Sequence, residues 1–158
     1  MSEHTPFIDL ANLPAPREGF LVTQFITVRS VARSRAFAPI LAGNGGGAIL
    51  NVLSVLSWLH VPAFGAYSAA KAAAWAMTDV ARQELAPSGI NVAALHVAYM
   101  DTDMVAHIDA PKANPADVAA LALEGIETGL TEILADEITR SVKQGLSAPP
   151  ARPPIVVA

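Results

Sequence analysis

The sequence predicts an α/β fold, a parallel sheet of about three to four strands flanked by helices, and three stretches carry that expectation. Ala48–Leu53 is a short apolar run behind a glycine cluster, rich enough in branched residues for a buried strand. Tyr67–Leu85 is alanine-rich and of helical length, and Pro87-Ser-Gly89 brings it to a stop. Ile90–Val97 is a second apolar, branched run directly behind it. Strand, helix and strand in succession is the pattern of a crossover unit.

Composition sets the outer limits. The 158 residues suit a single domain with a real core, expected as an arm over 1–19, an α/β core over 20–147 and a proline-rich tail over 148–158. Hydrophobic residues make up 53% and charged residues 15%, which excludes a disordered chain. A net charge of −4 gives no reason to expect nucleic acid or an anionic membrane as partner. Without cysteine there is neither a disulfide framework nor thiolate chemistry. No apolar run reaches the roughly 18 residues of a membrane span, and the first residues lack a basic-then-apolar leader pattern. Together these point to a cytoplasmic protein.

The elements follow in order. Residues 1–19 carry Pro6, Pro14, Pro16 and Gly19, with Phe7–Leu13 either a short edge strand or part of an extended arm. From Phe20 to Leu41 the pattern is helical through Phe25, Val28, Ala32 and Ala36, with Pro39 closing it. Arg29, Arg33 and Arg35 make this helix basic, but no stacking aromatics or second basic cluster accompany them, so they read as a solvated face. Gly43-Asn-Gly-Gly-Gly47 follows a helix and precedes a strand. A phosphate-cradling loop needs the opposite order and a G-x-G-x-x-G spacing, so the cluster is a helix stop and turn.

Beyond the central helix, His96 reads as packed or solvated, since His4, His60 and His107 form no metal-ligand spacing with it. Asp101 and Asp103 read as caps of a following helix sooner than as a metal pair. Asn114-Pro-Ala-Asp117 is a helix start for Ala116–Thr128, followed by a strand over Glu132–Ala135 and a helix over Glu137–Leu146. The proline-rich tail is expected to be extended or disordered.

The candidate chemistry lies at one end of the sheet. Tyr67 and Lys71 are four apart and share one helical face. Ser54 follows the first strand and can face that helix across the loop, at the carboxyl edge where open α/β folds place ligands. A hydroxyl, a phenol and an ammonium together suit proton transfer to or from a carbonyl or carbinol oxygen. A phenol titrates near ~10; a neighbouring cation lowers that value, moving Tyr67 toward useful acid–base work. Taken alone, the spacing more often marks a solvated lysine and a half-buried tyrosine at a helix start.

At these residues the sequence resembles the short-chain dehydrogenase/reductase family. The motif Tyr-x-x-x-Lys matches Tyr67-Ser-Ala-Ala-Lys71, and the family serine, 13 positions earlier, falls on Ser54. Ser57 sits where many members carry a small loop residue, and Ser88–Val97 looks like the family's next strand. The resemblance runs from about residue 33 to 147 and implies a truncated Rossmann-like sheet. It implies that Tyr67 is the catalytic acid/base, that Lys71 lowers its pKa and binds the nicotinamide ribose, and that Ser54 orients the substrate. Thr102 matches the threonine of the loop that grips the nicotinamide end of NAD or NADP, and the backbone of Met100 occupies the position that meets the carboxamide.

This chain also departs from the family pattern. Val97-Ala98 replaces the usual Pro-Gly, which leaves that loop looser in backbone preference. The structural asparagine of the family would fall near Ile26 or Thr27. The opening strand, glycine-rich turn and helix that hold the cofactor phosphates have no counterpart, so NAD(P) is expected to bind weakly or not at all. The strand at Ala48 would keep a free hydrophobic edge, to be covered by Phe7–Leu13 or by another chain. The family commonly dimerises through the helix before this strand and the one bearing Tyr67. The small face of Ala69, Ala70, Ala72, Ala73, Ala74 and Ala76 suits such packing, so a homo-oligomer is expected. Two functions stay open: an oxidoreductase acting on a carbonyl or secondary alcohol, or a non-catalytic remnant that self-associates or binds a partner. Leu56, Trp58 and Leu59 hint at a small hydrophobic carbonyl substrate.

Overall fold

In the computed structural model, residues 32–61 and 64–148 are described. A first helix, α1 over 32–43, ends in the glycine cluster, where Gly45, Gly46 and Gly47 take φ of 90°, 117° and 152°. Gly46 is required twice over: its φ is open to few other residues, and a Cβ there would collide with the backbone carbonyl oxygen of Gly89. That contact brings the turn against the start of the second strand.

The strand β1 (Gly47–Val52) runs parallel to β2 (Ile90–His96), with Gly47 opposite Ile90 and Val52 opposite Leu95. The ladder continues past the strand end, Leu53 N donating to the Leu95 carbonyl at 2.7 Å and Val55 N to the Val97 carbonyl at 3.0 Å. On its other side β2 pairs in parallel with β3 (Glu132–Leu134), giving the order β1-β2-β3. Helix α2 (Gly65–Leu85) connects β1 to β2, α3 (Pro115–Glu127) connects β2 to β3, and α4 (Glu137–Gly145) follows β3. The expected parallel sheet with flanking helices is therefore present, Rossmann-like and three strands wide among the described residues.

Strand β2 is apolar throughout because both its faces are covered. Ala93 and Leu95 meet Val118 and Ala122 of α3 and Ile133 of β3. On the other face Ile90 and Val92 pack with Ala38, Ala81 and Leu85, and Ala94 packs with Leu53 and Ala74. This is period-two alternation with a hydrophobic layer on either side. The buried alanines of α2, Ala70 and Ala74, let that helix settle closely on the sheet, while Ala69 and Ala76 remain exposed.

Several local expectations are met within a residue or two, and others are corrected. Asn114 accepts from Ala116 N at 2.8 Å with Pro115 in the first turn, as its sequence demands. Pro39 does not close α1; the helix runs through it to 43, the carbonyl it leaves without a donor belongs to exposed Arg35, and the glycines end the run. Asp101 and Asp103 cap no helix. Only a short 3-10 turn forms, over Asp103–Val105; Thr102 precedes it without a capping bond, its hydroxyl donating instead to the Met100 carbonyl at 3.2 Å. Helix α2 starts two residues before Tyr67. The segments Phe7–Leu13 and 20–31 and the tail beyond 148 lie outside the described residues.

The outer edge of β1 has no neighbouring strand among the described residues. A groove of about 480 Å³ lies along it, lined by Phe37 and Leu41 of α1 and by Ala48–Val52. No described helix is long and apolar enough to cross a membrane.

Candidate active site

The carboxyl ends of β1 and β2 bring the singled-out side chains together. Ser54 is buried two residues past β1, in extended conformation, and its hydroxyl oxygen accepts from Leu56 N at 3.2 Å. That bond caps the turn Val55–Ser57 and fixes where the hydroxyl points. Tyr67 stands half-buried in the first turn of α2. Burial pushes its phenol above the usual value, while a hydrogen bond with the Ser54 side chain pulls the other way.

One turn on, Lys71 reaches back to the sheet. Its Nζ donates to the Val52 carbonyl at 3.0 Å and lies 5.7 Å from the centre of the Tyr67 ring. Burial lowers its own pKa. The expectation that Lys71 draws the phenol below its ordinary range is therefore corrected. Desolvation dominates at Tyr67, and the ammonium is engaged by a backbone carbonyl and the ring face instead of the phenolic oxygen. At neutral pH Tyr67 is a protonated phenol, suited to donate.

Beneath Ser54 lies a cluster whose contacts the sequence did not announce. His96, the last residue of β2, is fully buried, and its Nδ1 sits 3.4 Å from the Ser54 carbonyl oxygen. Its ring stacks on Trp58 with centres 3.8 Å apart, and Trp58 meets Trp75 edge-on at 5.8 Å. Lys143 of α4 places Nζ 4.7 Å from the Trp58 ring centre and 2.6 Å from Glu132 Oε2. Burial holds His96 down at about 4, against the opposing pull of the Ser54 carbonyl and Glu132. The neutral ring donates through Nδ1 to the Ser54 carbonyl, leaving Nε2 without a hydrogen-bond partner among the described residues, 3.7 Å from Glu132 Oε1. Trp58, read as a hint of a hydrophobic substrate, is spent in this cluster; Leu56 and Leu59 keep some exposure.

The loop after β2 borders the same edge. Tyr99 and Asp101 exchange backbone bonds with Ala113, at 2.8 and 3.0 Å, in a bridge that sets Met100 beside Ala113. Met100 is half-buried and Thr102 exposed. Ala98 N donates to Asp136 Oδ2 at 2.7 Å. Asp136 escaped the sequence reading, although an Asp directly before Glu137 and three before Thr139 is a helix-start signature. Among the described residues no group of His, Cys, Asp and Glu could hold a metal, and no glycine-rich turn leads from a strand into a helix.

A family model described as short chain dehydrogenase matches residues 26–113. A ketoacyl reductase, HetN, of a Nostoc species is 30% identical over 118 residues, 69% of this chain and 41% of that protein. A cis-4-hydroxycyclohexanecarboxylate dehydrogenase of Sinomonas cyclohexanicum is 40% identical over 80 residues, 51% of this chain and 30% of that protein. Among solved structures, a short chain dehydrogenase from Burkholderia cenocepacia in complex with NADP superposes with a TM-score of 0.79 at 33% identity, covering 87% of this chain and 59% of that one. The chain thus spans about two-fifths or less of these curated relatives.

Proposed function

The chain belongs to the short-chain dehydrogenase family, and from that premise we propose that it carries the proton-transfer end of a nicotinamide-dependent oxidoreductase acting on a carbonyl or secondary alcohol. The observation that carries the reading is the gathering of Ser54, Tyr67 and Lys71 at the carboxyl edge of the sheet, with Lys71 Nζ on the Val52 carbonyl and 5.7 Å from the Tyr67 ring centre. In the reducing direction Tyr67 gives its proton to the substrate carbonyl oxygen while Ser54 hydrogen-bonds that oxygen. Burial that keeps the phenol protonated favours this direction. On this reading Lys71 and Tyr67 would hold the nicotinamide ribose and the Met100 backbone the carboxamide of NAD or NADP, with Thr102 beside them. Bound there, the cofactor supplies the hydride. Exposed Leu59 and half-buried Leu56 suit a small apolar substrate.

The described residues offer no cradle for the dinucleotide phosphates, from which much of such affinity comes. Binding by this chain alone is therefore weak, and full turnover needs a polypeptide that supplies the phosphate-binding part. The edge of β1, unpaired among the described residues, supports such a neighbour, and equally a second reading in which the chain is a non-catalytic, self-associating or partner-binding remnant. Self-association would use α1 and α2, between which a groove of about 350 Å³ lies open, lined by Ala38, Ala42, Ala74, Met77 and Ala81. Titration with NADH and NADPH, followed by thermal shift, separates the readings. At ligand a hundredfold above Kd the folded state gains about 2.7 kcal/mol, whereas a flat response to both at millimolar concentration would sink the stand-alone enzyme. Where turnover is seen, Tyr67→Phe lowers it roughly a hundredfold or more while sparing cofactor affinity; unchanged turnover would remove Tyr67 from its role.

A further inference from the structure

The Val97–Thr102 loop contains no proline to stiffen its backbone. It is instead tied at three points. The Val97 carbonyl accepts from Val55 N, next to Ser54; Tyr99 and Asp101 are bridged to Ala113; and Ala98 N donates to a carboxylate. The third tie is the shortest, at 2.7 Å, and the only one of the three that is charge-assisted. The same carboxylate works in the opposite direction as well. Its Oδ1 accepts from Thr139 N at 2.8 Å and from Thr139 Oγ1 at 2.9 Å, capping α4, and Thr139 is fully buried. Ala135 N, one residue before it, donates to the His96 carbonyl at 2.9 Å, so the backbone that presents the carboxylate is itself zipped to the end of β2.

We infer that Asp136 is a positioning residue: one oxygen pins the loop bearing Met100 and Thr102 beside Ser54 and Tyr67, the other is anchored in the first turn of α4. A bond from 38 residues away thus supplies a restraint that the loop's own backbone lacks. It also joins α4 to the nicotinamide end of the site, and it rests on the functional reading above only in what the held loop is for.

The test separates the pin from the cap. In D136S the serine still caps α4, serine being as good a cap as aspartate, but is too short to reach Ala98. In T139V the cap loses its hydroxyl donor while the carboxylate still faces Ala98. Residue-resolved amide exchange on the full chain should show Ala98–Asp101 exchanging about tenfold or more faster in D136S, with the first turn of α4 still protected. The Ala98 amide proton should also move upfield. T139V should do the reverse, loosening α4 and sparing the loop. Loop exchange within about twofold of wild type in D136S, or loop and helix loosening together in both variants, would overturn the inference, since Asp136 would then be a cap alone. Exchange does not depend on nucleotide binding, so this result stands whatever the cofactor titration gives. If wild type binds NADH, D136S should weaken Kd about tenfold with α4 intact; an unchanged Kd alongside a freed loop would refute the loop's placement at the nicotinamide and leave the pin standing.

Discussion

Acid should unfold this protein through His96, and the size of the effect follows from its surroundings. The ring is fully buried between Trp58 and the end of β2, and burial holds it at about 4. In the unfolded chain it titrates near ~6.5. Above that value the ring is neutral in both states and pH has no leverage on it. As pH falls, the unfolded chain takes up a proton that the folded one refuses, so stability drops until the folded ring also protonates near 4. Summed to about pH 4.5, the loss is on the order of 2 to 3 kcal/mol, a large share of a typical domain's stability. Glu132 and Asp79 favour the charged ring and Lys143 opposes it. H96N keeps those neighbours and offers a non-titrating donor to the Ser54 carbonyl, so their contributions cancel in the difference. Urea unfolding followed by circular dichroism at about pH 7.5 and pH 4.5 should show the wild-type advantage over H96N shrinking by roughly 2 to 3 kcal/mol. Trp58 emission, quenched by a charged ring stacked on it, should hold steady over that interval and fall only as the folded ring protonates near pH 4. Equal losses in wild type and H96N would refute the account, because they would mean that His96 is not held neutral by its burial.

Two further outcomes test the scaffold. Gly46→Ala combines a backbone angle closed to alanine with a collision against the Gly89 carbonyl, and should cost about 2 kcal/mol or more by urea unfolding; a loss below about 0.5 kcal/mol would show that the turn can rearrange. Asn114→Ala removes the acceptor for Ala116 N and should cost about 1 kcal/mol, most visibly as faster amide exchange in the first turn of α3.

The parts that were legible in the sequence depend on near neighbours in the chain. The Asn114-Pro115 start of α3 lies within one turn of the groups it satisfies. The glycine stop after α1 is likewise local, as is the left-handed Gly89 that ends the turn before β2. Sharing a face put Tyr67 and Lys71 together by helix geometry alone, and a strand end put Ser54 opposite them. What Lys71 does there was not legible. Whether its ammonium meets a phenolic oxygen or the Val52 carbonyl is settled by how α2 lies on β1, and the spacing of four leaves that angle open. Pro39 failed as a stop signal because an exposed helix can solvate the carbonyl that a proline strands.

Sequence by itself determined the alternation of elements, the apolar central strand and the three side chains capable of proton transfer, since periodicity, capping and motif spacing are properties of a local stretch. Tertiary structure decided what those groups experience. His96 reaches Ser54 across 42 residues and Asp136 reaches Ala98 across 38, and both meetings exist only because β1, β2 and β3 pair in one particular register. Burial then raises the phenol, lowers the lysine and silences the histidine. Desolvation depends on everything packed around a group, and no stretch of sequence contains that sum.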